Sequence, residues 1–210
     1  MKYEIVSTLL QEKVTAIVRG IPADKVCLVA DALLAGGVRC IEVTFNTPGA
    51  ADMIRALKRD YGSKMLVGAG TVLDTETCKT AIDAGADFSL TPALNTAVIT
   101  MCNRYGKVAV PGVMTPTEIL TAMEAGAEIV KVFPAGSLGT SYIKDVLGPL
   151  NHAAIMAVGG VDADNAAAFF KAGAKCIGVG SALVSKALIE SGDYAAITTR
   201  AQTFCKAAGK

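Results

Sequence analysis

Histidine appears once in this chain of 210 residues, as His152 in the loop Pro149-Leu150-Asn151-His152, and tryptophan does not appear at all. One imidazole excludes a histidine-rich metal centre and argues against a zinc-dependent aldolase or hydrolase. Paired cysteines are missing too. Cys27, Cys40, Cys78, Cys102, Cys176 and Cys205 are scattered through mostly apolar segments with no Cys-x-x-Cys, so they read as small reduced hydrophobes, not as a disulfide framework or zinc site. Charge of one sign is also lacking. Lys and Arg number 20 against 19 Asp and Glu, and a net charge of +1 leaves no electrostatic footprint for nucleic acid or a membrane surface. Mean hydropathy is high at +0.45, yet no apolar run reaches the roughly 18 residues of a spanning helix. The amino end, Met1-Lys2-Tyr3-Glu4-Ile5-Val6-Ser7, lacks the apolar stretch of a secretory signal, so cytoplasm is the expected location. No linker, charge block or low-complexity segment divides the chain, and a single domain over 1–210 is expected.

What is present is 52% hydrophobic and 19% charged residues, a globular composition. A chain of this length buries roughly 70% of its unfolded surface. After a helix-like lead from Tyr3 to Lys13, short apolar runs alternate with longer amphipathic segments. The runs read as eight strands: Val14 to Val18, Cys40 to Thr44, Met65 to Ala69, Asp87 to Leu90, Val108 to Val110, Ile129 to Phe133, Ile155 to Val158 and Cys176 to Val179. Their near-continuous hydrophobicity suits parallel strands covered on both faces, with crossover helices between. Ala35-Gly36-Gly37, Ala84-Gly85-Ala86, Ala125-Gly126-Ala127 and Ala172-Gly173-Ala174 each stand where a helix should end. The glycines at 36, 85, 126 and 173 are spaced by 49, 41 and 47 residues, two strand-helix units per period. Four such periods predict an α/β fold, a (β/α)8 TIM barrel with an N-terminal helix. A doubly wound open sheet fits less well, because Gly20-Ile21-Pro22 stands where a dinucleotide fingerprint would follow the first strand.

In a barrel, chemistry gathers at the carboxyl ends of the strands. Lys131 lies in Glu128-Ile129-Val130-Lys131-Val132-Phe133-Pro134, sharing a face with Ile129 and Phe133. An ammonium there either snorkels to water or loses its proton and becomes a neutral, nucleophilic amine. Glu42, opposite in facing to Ile41 and Val43, is either a structural ion-pair partner or a general base. The first strand ends in Arg19-Gly20, the third in Gly70-Thr71, the fourth in Thr91-Pro92 and the fifth in Pro111-Gly112. Val158-Gly159-Gly160 ends the seventh strand. Gly180-Ser181 ends the eighth, with a short helix expected to open at Ser181. Glycine turns at these two strands suit a phosphate, bound by backbone N–H groups and the helix end, although each alone is an ordinary turn.

These segments together resemble the 2-keto-3-deoxy-6-phosphogluconate (KDPG) aldolases, a family that includes 4-hydroxy-2-oxoglutarate (KHG) and phosphogalactonate aldolases. The resemblance spans nearly the whole chain. It rests on Ala16-Ile17-Val18-Arg19, Ile41-Glu42-Val43-Thr44, Gly68-Ala69-Gly70-Thr71-Val72, Pro111-Gly112-Val113-Met114-Thr115-Pro116, Lys131-Val132-Phe133-Pro134, Gly159-Gly160-Val161 and Gly178-Val179-Gly180-Ser181, in that order. It implies that Lys131 forms a Schiff base and Glu42 is the general acid/base. Arg19, Thr71 and Pro92 would shape the pyruvate end, Phe133 would wall the site, and Gly159, Gly160, Gly180 and Ser181 would hold the phosphate. It further implies a metal-free, cofactor-free homotrimer acting on a phosphorylated keto acid and pyruvate. Asn46 and Val158 stand where gluconate-type members carry arginine and threonine, as in the phosphogalactonate branch, whereas the Pro-Gly-Val-Met-Thr-Pro segment looks like the gluconate branch. Two other classes compete: a phosphate-binding isomerase or synthase without Schiff-base chemistry, and a non-catalytic sensor.

Overall fold

The computed structural model describes residues 2–210. An amino-terminal helix α1 (Lys2–Glu12) precedes β1 (Val14–Val18), and strands and helices then alternate: α2 (Val26–Ala35), β2 (Cys40–Thr44), α3 (Ala50–Tyr61), β3 (Leu66–Gly70), α4 (Thr75–Asp83), β4 (Phe88–Leu90), α5 (Thr96–Arg104) and β5 (Val108–Val110). The second half runs β6 (Gly112–Val113), α6 (Pro116–Glu124), β7 (Val130–Val132), α7 (Ala135–Leu147), β8 (Ile155–Val158), α8 (Ala166–Lys171), β9 (Cys176–Val179), α9 (Lys186–Glu190) and α10 (Tyr194–Ala207). Every strand pairing is parallel, in the order β5-β4-β3-β2-β1-β9-β8-β7-β6.

The eight expected strands thus appear as nine segments among the described residues, and the extra one has a simple cause. Pro111 has no N–H to give a ladder, so the fifth strand breaks there. Before the break β5 pairs with β4; after it β6 pairs with β7, and the Pro111 carbonyl accepts from Lys131 N at 2.8 Å. The two segments bring the ends of the sheet together around a barrel. Strand limits shift slightly elsewhere: the third is 66–70 where 65–69 is expected, the fourth starts at Phe88, and the sixth contracts to 130–132.

Alternation sorts the strand side chains into two packed sets. Val14, Ala16, Ile41, Val43, Val130 and Val132 face the helices, whereas Ile17, Cys40, Phe88, Val110, Ile129, Met156 and Cys176 fill the barrel with Ile5 and Leu9 of α1. The interior is a core, not a pore. Of the glycines expected to end helices in left-handed conformation, 85, 126 and 173 do so; after α2 it is Gly37 that does so, and Gly36 is not left-handed. Gly36 answers a different need: a Cβ there would lie 2.4 Å from the Ala201 Cβ, so its absence lets α10 pack on α2.

Candidate active site

Lys131 sits in the middle of β7, paired with Gly112 on one side and Met156 on the other, and is only 5% exposed. Its Nζ lies 4.8 Å from the centroid of the Phe133 ring. Burial pushes its pKa down; Glu42 pulls it back up and Arg19 pushes it further down. A buried amine with a guanidinium nearby holds its neutral, nucleophilic form more readily than a surface lysine. Snorkelling to water does not describe it.

Glu42 comes from β2, two strands from β9, and is 1% exposed. Its space comes from a neighbour's missing side chain: a Cβ on Gly70 would stand 2.3 Å from Glu42 Oε1. Among the described residues Oε2 has no hydrogen-bond partner. A carboxylate kept for a structural ion pair would have its oxygens satisfied, because an orphaned buried oxygen is costly. Burial raises the Glu42 pKa, and the positive charges of Lys131 and Arg19 act against that rise. The two buried groups therefore move towards each other in acidity, the arrangement in which a proton changes hands cheaply.

Above them a cavity of about 650 Å³ opens at the carboxyl ends of the strands, lined by Arg19, Lys131, Phe133 and Val158 and by the turn residues Gly159, Gly160, Gly180 and Ser181. The sequence-predicted residues on the β7–β9 and β1 side thus converge. Glu42, Thr71 and Pro92 do not line this cavity; they belong to the β2–β4 side of the mouth. Thr71 follows Gly70 with a left-handed φ of 55°, and the Pro92 carbonyl packs where a Cβ on Gly112 would sit.

The Gly159-Gly160 turn is built for close approach. Both glycines have positive φ, and a Cβ on Gly159 would lie 2.9 Å from the Phe133 ring. Gly136 N donates to Gly159 O at 2.7 Å, and Asn165 Nδ2 donates to Gly160 O at 2.8 Å. After β9 the expected short helix is instead a single turn, in which Leu183 N and Val184 N both donate to Gly180 O. It stops because Ser185 is extended and caps α9, its Oγ accepting from Leu188 N. Sequence reading missed Gly136 and Asn165 as supports, Gly70 as the space for Glu42, and Lys186 as a cavity wall. Gly70 carried no signal of its own, since its relation to Glu42 appears only in the register that pairs Glu42 with Gly68, one alternation step before it. Lys186 looked like any helix lysine.

The family model for KDPG and KHG aldolase matches residues 5–200 of the chain. The chain belongs to the KDPG and KHG aldolase family. The 2-dehydro-3-deoxy-6-phosphogalactonate aldolase of Escherichia coli K12 is 38% identical to it over 169 residues, covering 80% of this chain and 82% of that protein. The 2-dehydro-3-deoxy-phosphogluconate aldolase of Treponema pallidum is 36% identical over 174 residues, 82% of each. A solved structure described as native KDPGal superimposes with a TM-score of 0.87 at 35% identity, covering 92% of this chain and 93% of its own. A family aldolase is a carbon–carbon lyase, and the expected barrel is the fold its solved relatives share.

Proposed function

We propose that this aldolase works through a Schiff base on Lys131 and cleaves KDPG to pyruvate and glyceraldehyde 3-phosphate. The observation that carries the reading is the buried pair: a lysine whose pKa is pushed down beside a carboxyl whose pKa is pushed up, under a cavity edged by glycine turns. Neutral Lys131 adds to the substrate's C2 carbonyl to give a carbinolamine. Protonated Glu42 gives its proton to the departing hydroxyl, water leaves, and an iminium remains beside ionised Glu42. The new positive charge favours the carboxylate that must act next. Glu42 takes the proton of the C4 hydroxyl as the C3–C4 bond breaks, and the bond's electron pair neutralises the iminium to an enamine. The aldehyde leaves; Glu42 returns the proton to C3, and water then hydrolyses the pyruvate iminium to release pyruvate and neutral Lys131, the proton freed in that step going back to the Glu42 carboxylate.

In the same reading Arg19 holds the pyruvate carboxylate, with Thr71 and Pro92 shaping that end and Phe133 forming a wall. Gly159, Gly160, Gly180 and Ser181 take the phosphate. A second substrate is favoured by Val158: it lines the cavity with methyl groups where a threonine would offer a donor, so we also infer cleavage of the galactonate epimer. Family membership extends the reading to KHG. The assembly we propose is a homotrimer. Its six free thiols fit a reducing compartment, the cytoplasm.

Pyruvate with borohydride tests the mechanism, because hydride reduces an iminium to a stable secondary amine. One irreversible adduct at Lys131, with loss of activity, is the expected result. An adduct elsewhere, or none, returns the choice to an isomerase, a synthase or a sensor on the same barrel.

A further inference from the structure

We infer that Lys186 supplies the positive charge for the phosphate end of the substrate. This deepens the aldolase reading and rests on it. The four residues assigned to the phosphate, Gly159, Gly160, Gly180 and Ser181, carry no charge, whereas a phosphate monoester brings about −1.5 to −2 at neutral pH. Among the described residues the cavity is lined by three basic side chains, Arg19, Lys131 and Lys186, and one acid, Asp162. Lys131 has to be neutral to attack and is then consumed in the covalent bond, and Arg19 is committed to the carboxylate. Asp162 is engaged by its own turn, its Oδ1 accepting from Asp164 N and Asn165 N at 3.0 Å. Lys186 is left.

Its placement fits the distal end. Lys131 is buried within β7 and marks where C2 must bond; Lys186 is exposed at the rim, just beyond the Ser181 turn that lines the same cavity. The side chain is not loose over solvent. Its Cε and Nζ lie 3.0 and 3.1 Å from where a Cβ on Gly20 would be, so the stem rests on a backbone left bare by a glycine with φ of +62°. That backbone is itself fixed, since Gly20 N donates to Thr47 Oγ1 at 2.8 Å and Thr47 Oγ1 lies 3.1 Å from Thr44 Oγ1. Lys58, Lys79, Lys107 and Lys210 are each paired with a carboxylate. Lys186 has no such partner among the described residues. Its ammonium is free for an anion, and at the mouth it adds to the field that draws one in.

The test compares KDPG with unphosphorylated 2-keto-3-deoxygluconate in the wild type, Lys186→Met and Lys186→Arg. Methionine keeps an apolar stem over Gly20 and removes the charge. We expect the wild type to prefer the phosphorylated substrate, and Lys186→Met to raise KM for KDPG roughly five- to tenfold, between the effect of an exposed ion pair and that of a charge-assisted hydrogen bond. kcat should be little changed, the unphosphorylated substrate unaffected, and Lys186→Arg should restore the KM. Inhibition by inorganic phosphate should weaken in parallel in the methionine variant. If the wild type prefers KDPG and Lys186→Met does not alter that preference, the role of Lys186 is overturned while the phosphate turns stand. Equal losses on both substrates would also overturn it. A wild type with no preference would remove the phosphate end altogether, and this inference with it.

Discussion

The floor and the mouth of this barrel are made by the same strands, one or two alternation steps apart, yet they are built to opposite ends. At the floor, Ile129, Phe88, Cys40 and Cys176 close over Ile5 and Leu9 of α1, all apolar and buried. At the mouth, Lys131 stands two residues after Ile129 on β7, and Glu42 two residues after Cys40 on β2. Glycine plays opposite parts in the two layers. A Cβ on Gly68 would strike the Phe88 ring at 2.2 Å, so the floor uses a missing side chain to seat a larger apolar one. Gly70, one step up, makes the same kind of room for a carboxylate. The floor contributes stability by burial; the mouth gives some of it up by burying groups that titrate.

The largest expected effect on folding therefore belongs to the floor. Phe88→Ala should cost about 3–5 kcal/mol in chemical denaturation, the usual scale for emptying a buried aromatic, while kcat per folded molecule stays near wild type. A large loss of kcat in the folded fraction would erase the division between the layers.

Glu42→Gln should do the reverse, lowering kcat roughly 10²-fold or more, the scale for removing a general acid/base. Its stability effect has a defined sign. The folded carboxyl holds its proton above the ordinary value of 4.5, so between that value and the raised one the folded state binds more protons than the unfolded, and stability falls as pH rises. Glutamine removes that decline. The variant should be more stable than wild type at neutral pH, and the gain should vanish below pH 4.5. A variant less stable at pH 7 would mean that ionised Glu42 contributes to the fold. Lys131 has the opposite dependence. Its lowered pKa makes stability rise with pH up to the ordinary lysine value of 10.5.

The smallest effect concerns selectivity at the rim. Val158 packs towards Gly178, where a Cβ would lie 2.9 Å from its Cγ2. Wild type should cleave both the gluconate and galactonate epimers, and Val158→Thr should shift the ratio of their kcat/KM values towards the gluconate form by about 1 kcal/mol, one net hydrogen bond. Parallel assays of the two substrates measure it. An enzyme confined to one epimer, with a ratio untouched by threonine, would place the discriminator elsewhere.

Much of this was legible in the chain itself, because alternation along a strand is a property of covalent geometry. Ile129, Lys131 and Phe133 had to share a face, and Ile41 and Val43 had to oppose Glu42, whatever the fold. The apolar strands and the glycine-marked helix ends likewise implied a parallel barrel, although after α2 the left-handed turn falls to Gly37 and not to Gly36, the glycine the spacing counted. Local chemistry misled at Ser181, where small residues before an apolar stretch suggested a helix that the extended Ser185 cuts short.

Contacts across the chain were a different matter, since they depend on register and curvature that no local pattern encodes. Pro111 announces a strand end, but only the closed barrel makes the residues after it pair with β7. Gly70 reads as an ordinary turn glycine until β2 and β3 are laid side by side and Glu42 needs its space. Lys186 reads as a surface lysine until α9 returns its side chain over Gly20. The sequence by itself determined which residues face inward and which carry chemistry. Tertiary structure alone decided which of them meet, and how dry the place is where they do, because burial and proximity belong to the packed chain and not to any residue in it.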